Sequence, residues 1–122
     1  MVILLSEPDS ESYTRAIEAV DQPKMSAATY LESGVVIDHR GDELAPRAFE
    51  RFVRRAKIEI VPFDSRQAEI ARQAYRDFGK GRHPAGLNFG DCFSYALAKA
   101  LDEPLLFKGG DFSRTDVQVC PL

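Results

Sequence analysis

Short segments rich in β-branched and apolar residues alternate along this chain with longer segments in which apolar residues recur at helical spacing. We predict strands at Lys24–Ala27, Ile58–Phe63, Leu105–Phe107 and Val117–Cys120, and helices at Ser10–Val20, Thr29–His39, Pro46–Lys57, Ser65–Phe78 and Phe89–Leu101. This alternation predicts an α/β fold in which helices flank a short, mostly parallel sheet. In such folds, functional side chains gather at the carboxyl ends of the strands.

The composition predicts one globular domain spanning residues 1–122, with 44% hydrophobic residues to build a core. No apolar run approaches the ~18 residues that a membrane span needs. The N-terminus lacks the basic start and the apolar length of a signal peptide, so we expect a cytoplasmic protein that does not bind membranes.

Cys92 and Cys120 are far apart and flanked by apolar residues, which favours buried free thiols over a disulfide.

The net charge of −3 argues against bulk binding of nucleic acid, but basic residues are concentrated in two places. One is the segment from Arg76 to Pro84, and the other is a run formed by Arg47, Arg51, Arg54, Arg55 and Lys57. Local patches of this kind can bind phosphate groups even on an acidic protein.

Asp91 stands in the first turn of the nearly apolar helix Phe89–Leu101. An aspartate at a helix start is commonly a cap or a partner of the helix dipole. Against this, Asn88 is already the better cap, and the apolar residues that follow predict a largely covered helix end. A covered carboxylate needs a partner, and a cation is one.

Three other acidic residues lie beside apolar segments. Glu32 is on the helix after Lys24–Ala27, where a solvated surface glutamate is the simpler reading. Asp111 follows a strand and two glycines, where turn chemistry is the alternative, and Asp116 precedes the last strand and could equally be a loop residue. Carboxylates gathered at strand ends suit Mg²⁺ or Mn²⁺, and the reaction that follows most naturally is metal-dependent phosphodiester hydrolysis.

The sequence excludes several other active-site types. Gly79-Lys80-Gly81 lacks the ending and the strand context of a phosphate-binding loop. Ser94 lies within a helix with no candidate base nearby in sequence, and two isolated histidines, His39 and His83, do not form a zinc site. His83 is either an exposed loop residue or a phosphate contact.

In these motifs, the chain resembles the PIN-domain ribonucleases and more closely the VapC toxins of bacterial toxin–antitoxin pairs. Met25-Ser26-Ala27 with Glu32 resembles the second strand and second acid of the family, and Leu87–Ala98 carries its third acid, Asp91. Leu105–Phe112 and Thr115-Asp116 resemble the last acidic segment. The resemblance covers nearly the whole chain and implies a three-layer PIN-like fold.

The N-terminus departs from the family pattern, which opens with a strand reading roughly Val-Ile-Asp-Thr-Ser-Ala and then a helix ending near Glu-Pro. Here Ile3–Pro8 resembles the end of that helix. We therefore expect the first, central strand and its aspartate to be missing or truncated, through a shortened chain or a misassigned start. The alternative is that Met1-Val2-Ile3 pairs as a short remaining strand.

The resemblance implies an endoribonuclease toxin. Glu32, Asp91 and Asp111 would be catalytic and, with Asp116, would hold Mg²⁺ or Mn²⁺. Contacts to RNA are expected from the basic residues of two loops, namely Lys80, Arg82, His83 and Lys108. The implied partners are RNA, with transfer RNA among the structured substrates, a VapB-type antitoxin and a second copy of the chain in a homodimer.

Because the first family aspartate is missing, a second function remains open. The chain could be a catalytically impaired PIN fold that binds a VapB-type antitoxin, with the helices Tyr13–Val20 and Thr29–His39 as its partner surface. A structure-specific DNA nuclease of the wider superfamily is a third possibility, against which the small size and the toxin-like motifs argue.

Overall fold

The computed structural model describes residues 1–3, 15, 17–81, 83–107, 115–117 and 119–121, and only the backbone of residues 107 and 119–121. Its strands are β1 (Val2–Ile3), β2 (Lys24–Ser26), β3 (Glu59–Val61), β4 (Leu105–Phe107) and β5 (Val119–Pro121), and its helices are α1 (Ala27–Asp38), α2 (Leu44–Arg55), α3 (Ser65–Phe78) and α4 (Phe89–Leu101). The predicted helix Ser10–Val20 lies mostly outside the described residues; within it, Arg15, Ile17 and Glu18 are helical.

The strands form one parallel sheet in the order β3-β2-β1-β4-β5, which confirms the predicted α/β class. Successive residues of a strand point to opposite faces, and both faces are covered. Val2 and Leu105 pack with α3 and α4 on one side, whereas Ile3, Met25 and Leu106 pack with α1 and α2 on the other. The three layers expected from the sequence are therefore present.

The central position of the sheet is filled by β1, only two residues long. Val2 pairs with Lys24 of β2 and with Leu105 of β4, and the Val2 amide donates to the Pro104 carbonyl at 2.9 Å. Both Val2 and Ile3 are fully buried. The first strand is thus short but not missing: the pairing of Met1-Val2-Ile3 that the sequence analysis held as the alternative is the one observed.

Local sequence signals set the ends of the longer helices. Asp64 caps α3 by accepting from the Gln67 amide at 2.9 Å, and α3 ends at Gly79. Pro46 lies in the first turn of α2, as predicted, although α2 begins at Leu44. No helix in the described ranges is long and apolar enough to cross a membrane.

Candidate metal and RNA site

Glu32 is brought to the carboxyl edge of the sheet by the direct junction between β2 and α1. Ser26, the last residue of β2, caps α1 by accepting from the Ala28 amide at 3.2 Å. Because α1 therefore starts at the end of the strand, Glu32 in its second turn stays close to that edge. The residue is exposed overall, as expected for a side chain that could reach a ligand from solvent.

Asp91 is held at the start of α4 by a reciprocal pair of hydrogen bonds with Asn88. The Asn88 side chain accepts from the Asp91 amide at 2.8 Å, and the Asp91 carboxylate accepts from the Asn88 amide at 3.0 Å. This capping box confirms Asn88 as the cap and gives Asp91 a structural role as well. The bond uses Oδ2 of Asp91 and fixes the direction of the carboxylate.

The two acids meet through Gly90, the residue between Phe89 and Asp91. A β-carbon added at Gly90 would collide with both carboxylate oxygens of Glu32 and would lie 2.6 Å from its Cδ. The Glu32 carboxylate therefore lies directly against the backbone of the first turn of α4. Only glycine permits this approach between α1 and α4.

The closeness of the two acids changes the titration of Glu32. Desolvation at the contact, and then the negative charge of Asp91, raise the pKa of Glu32 above its ordinary value of 4.5. The positive end of the α4 dipole acts in the opposite direction, since it favours negative charge at a helix start. The net effect is still a raised pKa for Glu32.

A buried pair of hydroxyl groups joins the same two helices beneath the acids. Thr29 Oγ1 of α1 and Ser94 Oγ of α4 lie 3.1 Å apart, and both residues are completely buried. The hydrogen bond satisfies two polar groups that would otherwise be unpaired in the core. It also fixes the distance between the helices that carry Glu32 and Asp91.

Asp116 lies further along α4 than the acid pair and has its own partners. It accepts a hydrogen bond from the Tyr95 hydroxyl and forms an ion pair with Lys99 at 3.2 Å. Burial would raise the pKa of Asp116, but the bonds from Tyr95 and Lys99 together lower it below its ordinary value of 3.8. Its role as a metal ligand stays a prediction.

The remaining predicted site residues divide into two groups. Asp111, Lys108 and Arg82 lie outside the described residues. Lys80 is exposed, and His83 is half-buried. The His83 and Phe78 rings are perpendicular with centroids 5.2 Å apart, and His83 Nδ1 accepts from the Ala85 amide at 3.0 Å. His83 thus has a structural role in the loop, and the predicted RNA contacts of both residues stay predictions.

The residues present fit a hard divalent cation. Glu32 and Asp91 offer only oxygen donors, from two separate helices, and burial followed by the charge of Asp91 raises the pKa of Glu32. A bound cation would favour the ionised form of Glu32. Within the described part of the chain, no three His, Cys, Asp or Glu side chains form a complete ligand group, so the pair needs further donors.

Sequence reasoning missed Gly90 and Phe89. Phe89 was expected to be covered as part of an apolar helix, yet it is 65% exposed. Tyr75 of α3, another aromatic residue, is 40% exposed. The available signal was the position of Phe89 at the first residue of a helix, where fewer neighbours can cover a side chain. The buried thiol of Cys92 was predicted correctly, whereas the Cys120 side chain is outside the described part.

Comparison with known proteins gives a consistent family pattern. The model of the PIN domain matches residues 1–118. The chain is 48% identical to "Ribonuclease VapC30" of Mycobacterium tuberculosis, covering 100% of this chain and 93% of that protein. It is 50% identical to "Ribonuclease VapC" of Mycolicibacterium smegmatis, over 96% of this chain and 91% of that protein. In fold it resembles the crystal structure of VapBC2 from Rickettsia felis bound to a DNA fragment from their promoter, with a TM-score of 0.76. The two sequences are 13% identical, and the match covers 100% of this chain and 99% of that chain.

Proposed function

Since this chain belongs to the PIN-domain family and, within it, to the VapC group, we propose that it is the endoribonuclease toxin of a toxin–antitoxin pair and that its activity depends on Mg²⁺ or Mn²⁺. The names of its relatives support ribonuclease activity. The observation that carries the proposal for this chain is the contact between α1 and α4, where the Glu32 carboxylate lies against Gly90, beside Asp91.

In the proposed mechanism, Glu32 and Asp91 hold the ion, and Asp111 and Asp116 are the candidates for the further donors. The ion, when bound, supplies an acidic water and neutralises charge on the scissile phosphate. Asn88 holds Asp91 in position through the capping box, and Gly90 lets Glu32 approach. The positive end of the α4 dipole adds an attraction for the phosphate group. No nucleophile from the protein is required.

RNA would approach across the carboxyl edge of the sheet, with Lys80, Arg82, His83 and Lys108 as the proposed phosphate contacts. Contacts of this kind position the substrate and carry no sequence information. We propose single-stranded or looped RNA as the substrate class, because its bases can be splayed away from one another. Transfer RNA is one structured RNA with such loops.

A VapB-type antitoxin is the proposed protein partner, and an exposed apolar face of α1 is the proposed surface for it or for a homodimer. Leu31, Val35 and Val36 are 67%, 46% and 54% exposed. Since Leu31 precedes Glu32, a partner on this face would lie beside the acids. Leu31→Ser should weaken the complex with the antitoxin, and light scattering of the chain alone would test for the homodimer.

A second candidate function is an impaired PIN fold that binds an antitoxin without cutting RNA. The observation that favours it is the residue after β1. Val2-Ile3 forms the central strand, and the next residue is Leu4, where the family pattern described above has an aspartate. The centre would then have one donor fewer for the cation.

One experiment separates the two candidates. Calorimetry with Mn²⁺ on this chain and on Asp91→Asn is combined with cleavage of a mixed RNA substrate. Binding that is lost in Asp91→Asn, together with cleavage by the unaltered chain, would support the toxin. A folded chain, by circular dichroism, that neither binds Mn²⁺ nor cleaves RNA would support the antitoxin-binding protein.

A further inference from the structure

A groove of about 530 Å³ lies between α3 and α4. Phe63, which follows β3, contributes to its wall, together with Arg72 and Tyr75 from α3 and with Phe89 and Phe93 from α4. The volume is within the range of about 300–1,000 Å³ that is typical of sites for small organic groups. The groove therefore has room for a nucleobase.

Three phenylalanine rings form a continuous row along this groove. The Phe89 and Phe93 ring centroids are 4.9 Å apart, and those of Phe93 and Phe63 are 5.0 Å apart at 82°. Phe63 and Phe93 are half-buried, whereas Phe89 at the outer end is 65% exposed. The inner rings thus support an aromatic side chain that is largely open to solvent.

The exposed ring is adjacent to the acid pair. Phe89 immediately precedes Gly90, which touches the Glu32 carboxylate, and Asp91 follows. Consecutive Cα atoms are about 3.8 Å apart, so a group stacked on Phe89 has its attached chain within reach of the acids. The exposed end of the aromatic row therefore lies one residue from the backbone that the Glu32 carboxylate contacts.

Arg72 gives the groove a positive charge. It is exposed, and none of the described carboxylates forms an ion pair with it. An apolar peptide segment in this groove would remove water from the guanidinium without replacing its hydrogen bonds, which is unfavourable. A nucleotide would offer a phosphate to Arg72 and a flat base to Phe89, which is the combination that single-strand-binding proteins use.

We propose that Phe89, supported by Phe93 and Phe63, stacks on an unpaired base of the RNA next to the phosphate held at the acid pair, while Arg72 contacts the RNA backbone. The proposal rests on the ribonuclease function proposed above and adds a base-binding subsite to it. It assigns the aromatic row to substrate binding, separately from the basic loop residues.

The chain contains no tryptophan, so Phe89→Trp introduces a single fluorophore at the proposed stacking position. Leu44→Trp is the matched control, because Leu44 is 74% exposed and opens α2, outside the groove. Each variant is titrated with the single-stranded heptanucleotides A₇ and U₇ as RNA, and a denaturing gel verifies that the RNA remains intact. We expect quenching at position 89, stronger with A₇, and little change at position 44.

Two further measurements test whether the base and the ring are both required. An RNA of the same length with abasic sugars should leave the fluorescence at position 89 unchanged. Phe89→Leu should weaken RNA binding by roughly 5- to 160-fold, the range that corresponds to the loss of one base–aromatic stack, whereas Phe89→Tyr should bind as the unaltered chain does. Arg72→Gln should reduce the slope of log affinity against log salt by about 0.7, which is one phosphate contact on a single strand.

The possible results are distinguishable. If the unaltered chain binds and cleaves RNA but the fluorescence of Phe89→Trp is not quenched and Phe89→Leu binds normally, the subsite is refuted and the ribonuclease proposal stands. If a VapB-type antitoxin quenches the fluorescence of Phe89→Trp and RNA does not, the groove is a protein-binding site and the proposal is wrong. If the unaltered chain neither binds nor cleaves RNA, the ribonuclease proposal and the subsite both fail.

Discussion

The Glu32 carboxylate lies where a β-carbon of residue 90 would be, so Gly90 is the point at which α1 and α4 bring the two acids together. The geometry of the proposed metal centre therefore depends on an amino acid that has no side chain.

Gly90→Ala tests this dependence. The methyl group should displace the Glu32 carboxylate and weaken Mn²⁺ binding on the order of 10- to 100-fold, as loss of a supporting contact at a metal site does. Calorimetry measures the affinity. Gly34→Ala is the matched control, since it lies in α1 with nothing within 4 Å of the added carbon, and it should bind Mn²⁺ normally. Unchanged Mn²⁺ affinity in Gly90→Ala would refute the role of the contact.

The raised pKa of Glu32 predicts a pH dependence of stability in the absence of divalent ions. Because the folded chain holds the proton more tightly than the unfolded chain, this contribution to stability is fully present below about 4.5 and is lost as the pH rises through the folded pKa. Relative to the wild type, Glu32→Gln should therefore gain stability as the pH rises, as measured by urea unfolding.

The same series with Mn²⁺ is the control for this prediction. Cation binding favours the ionised Glu32, so the wild type should gain stability from Mn²⁺ at neutral pH, and Glu32→Gln should gain less. Parallel pH profiles for the two proteins without metal would contradict the raised pKa.

Tyr95→Phe should destabilise the fold by removing the hydrogen bond to Asp116. We expect a loss of about 1 kcal/mol near pH 7, below the roughly 1.5–3 kcal/mol of a bond to a charged group, because the Asp116 side chain is 58% exposed. The pKa of Asp116 is lowered in the folded chain, so its contribution is present above 3.8 and is lost as the pH falls through the folded pKa. Urea unfolding at pH 7 and in acid measures this effect. The difference in unfolding free energy between the unaltered chain and Tyr95→Phe should be smaller in acid.

Lys99→Met supplies the comparison for Tyr95→Phe. The Lys99–Asp116 pair is at the surface, and surface pairs contribute about 0–1 kcal/mol. Added salt should reduce the effect of Lys99→Met more than that of Tyr95→Phe, since an ion pair is screened and a hydrogen bond to a buried tyrosine is screened less. A larger loss from Lys99→Met would show that this assignment of strengths is wrong.

The Thr29–Ser94 hydroxyl pair predicts a strong coupling between two substitutions. Thr29→Val or Ser94→Ala alone leaves a buried hydroxyl without its partner and should cost about 1–3 kcal/mol. The double variant removes both polar groups, so it should be much less destabilised than the sum of the single variants. A double-mutant cycle by chemical unfolding measures the coupling, and additive losses would exclude the proposed bond.

The sequence predicted an element correctly where the residues that define its ends are close to it in sequence. The bounds of α3 and α4 were predicted correctly because Asp64 and Asn88 mark their starts and Gly79 marks the end of α3. In contrast, β1 has only two residues, too few to show a period, and its partner Leu105 is distant in sequence. The resemblance to the family therefore led us to expect a missing or truncated strand, with the pairing of Met1-Val2-Ile3 as the alternative.

The site shows the same difference between features set by nearby sequence and features set by tertiary packing. The resemblance to a family indicated Glu32 and Asp91, but it did not indicate how they approach, since the contact with Gly90 depends on the packing of α1 against α4. An apolar segment is expected to be buried along its whole length, so the residue type of Phe89 did not indicate its exposure. Only its position at the first residue of α4 did. Which residues of such a run face solvent is set by the neighbouring helix, and that requires tertiary structure.

The central strand also bears on when this protein can finish folding during its synthesis. Val2 hydrogen-bonds to Pro104 and pairs with Leu105, so the middle of the sheet joins residues that are about a hundred positions apart. A ribosome must release the chain past Leu105 before β1 acquires its second neighbour, and contacts of such separation close slowly. During synthesis, Glu32 and Asp91 would therefore leave the ribosome before the sheet that supports them is complete.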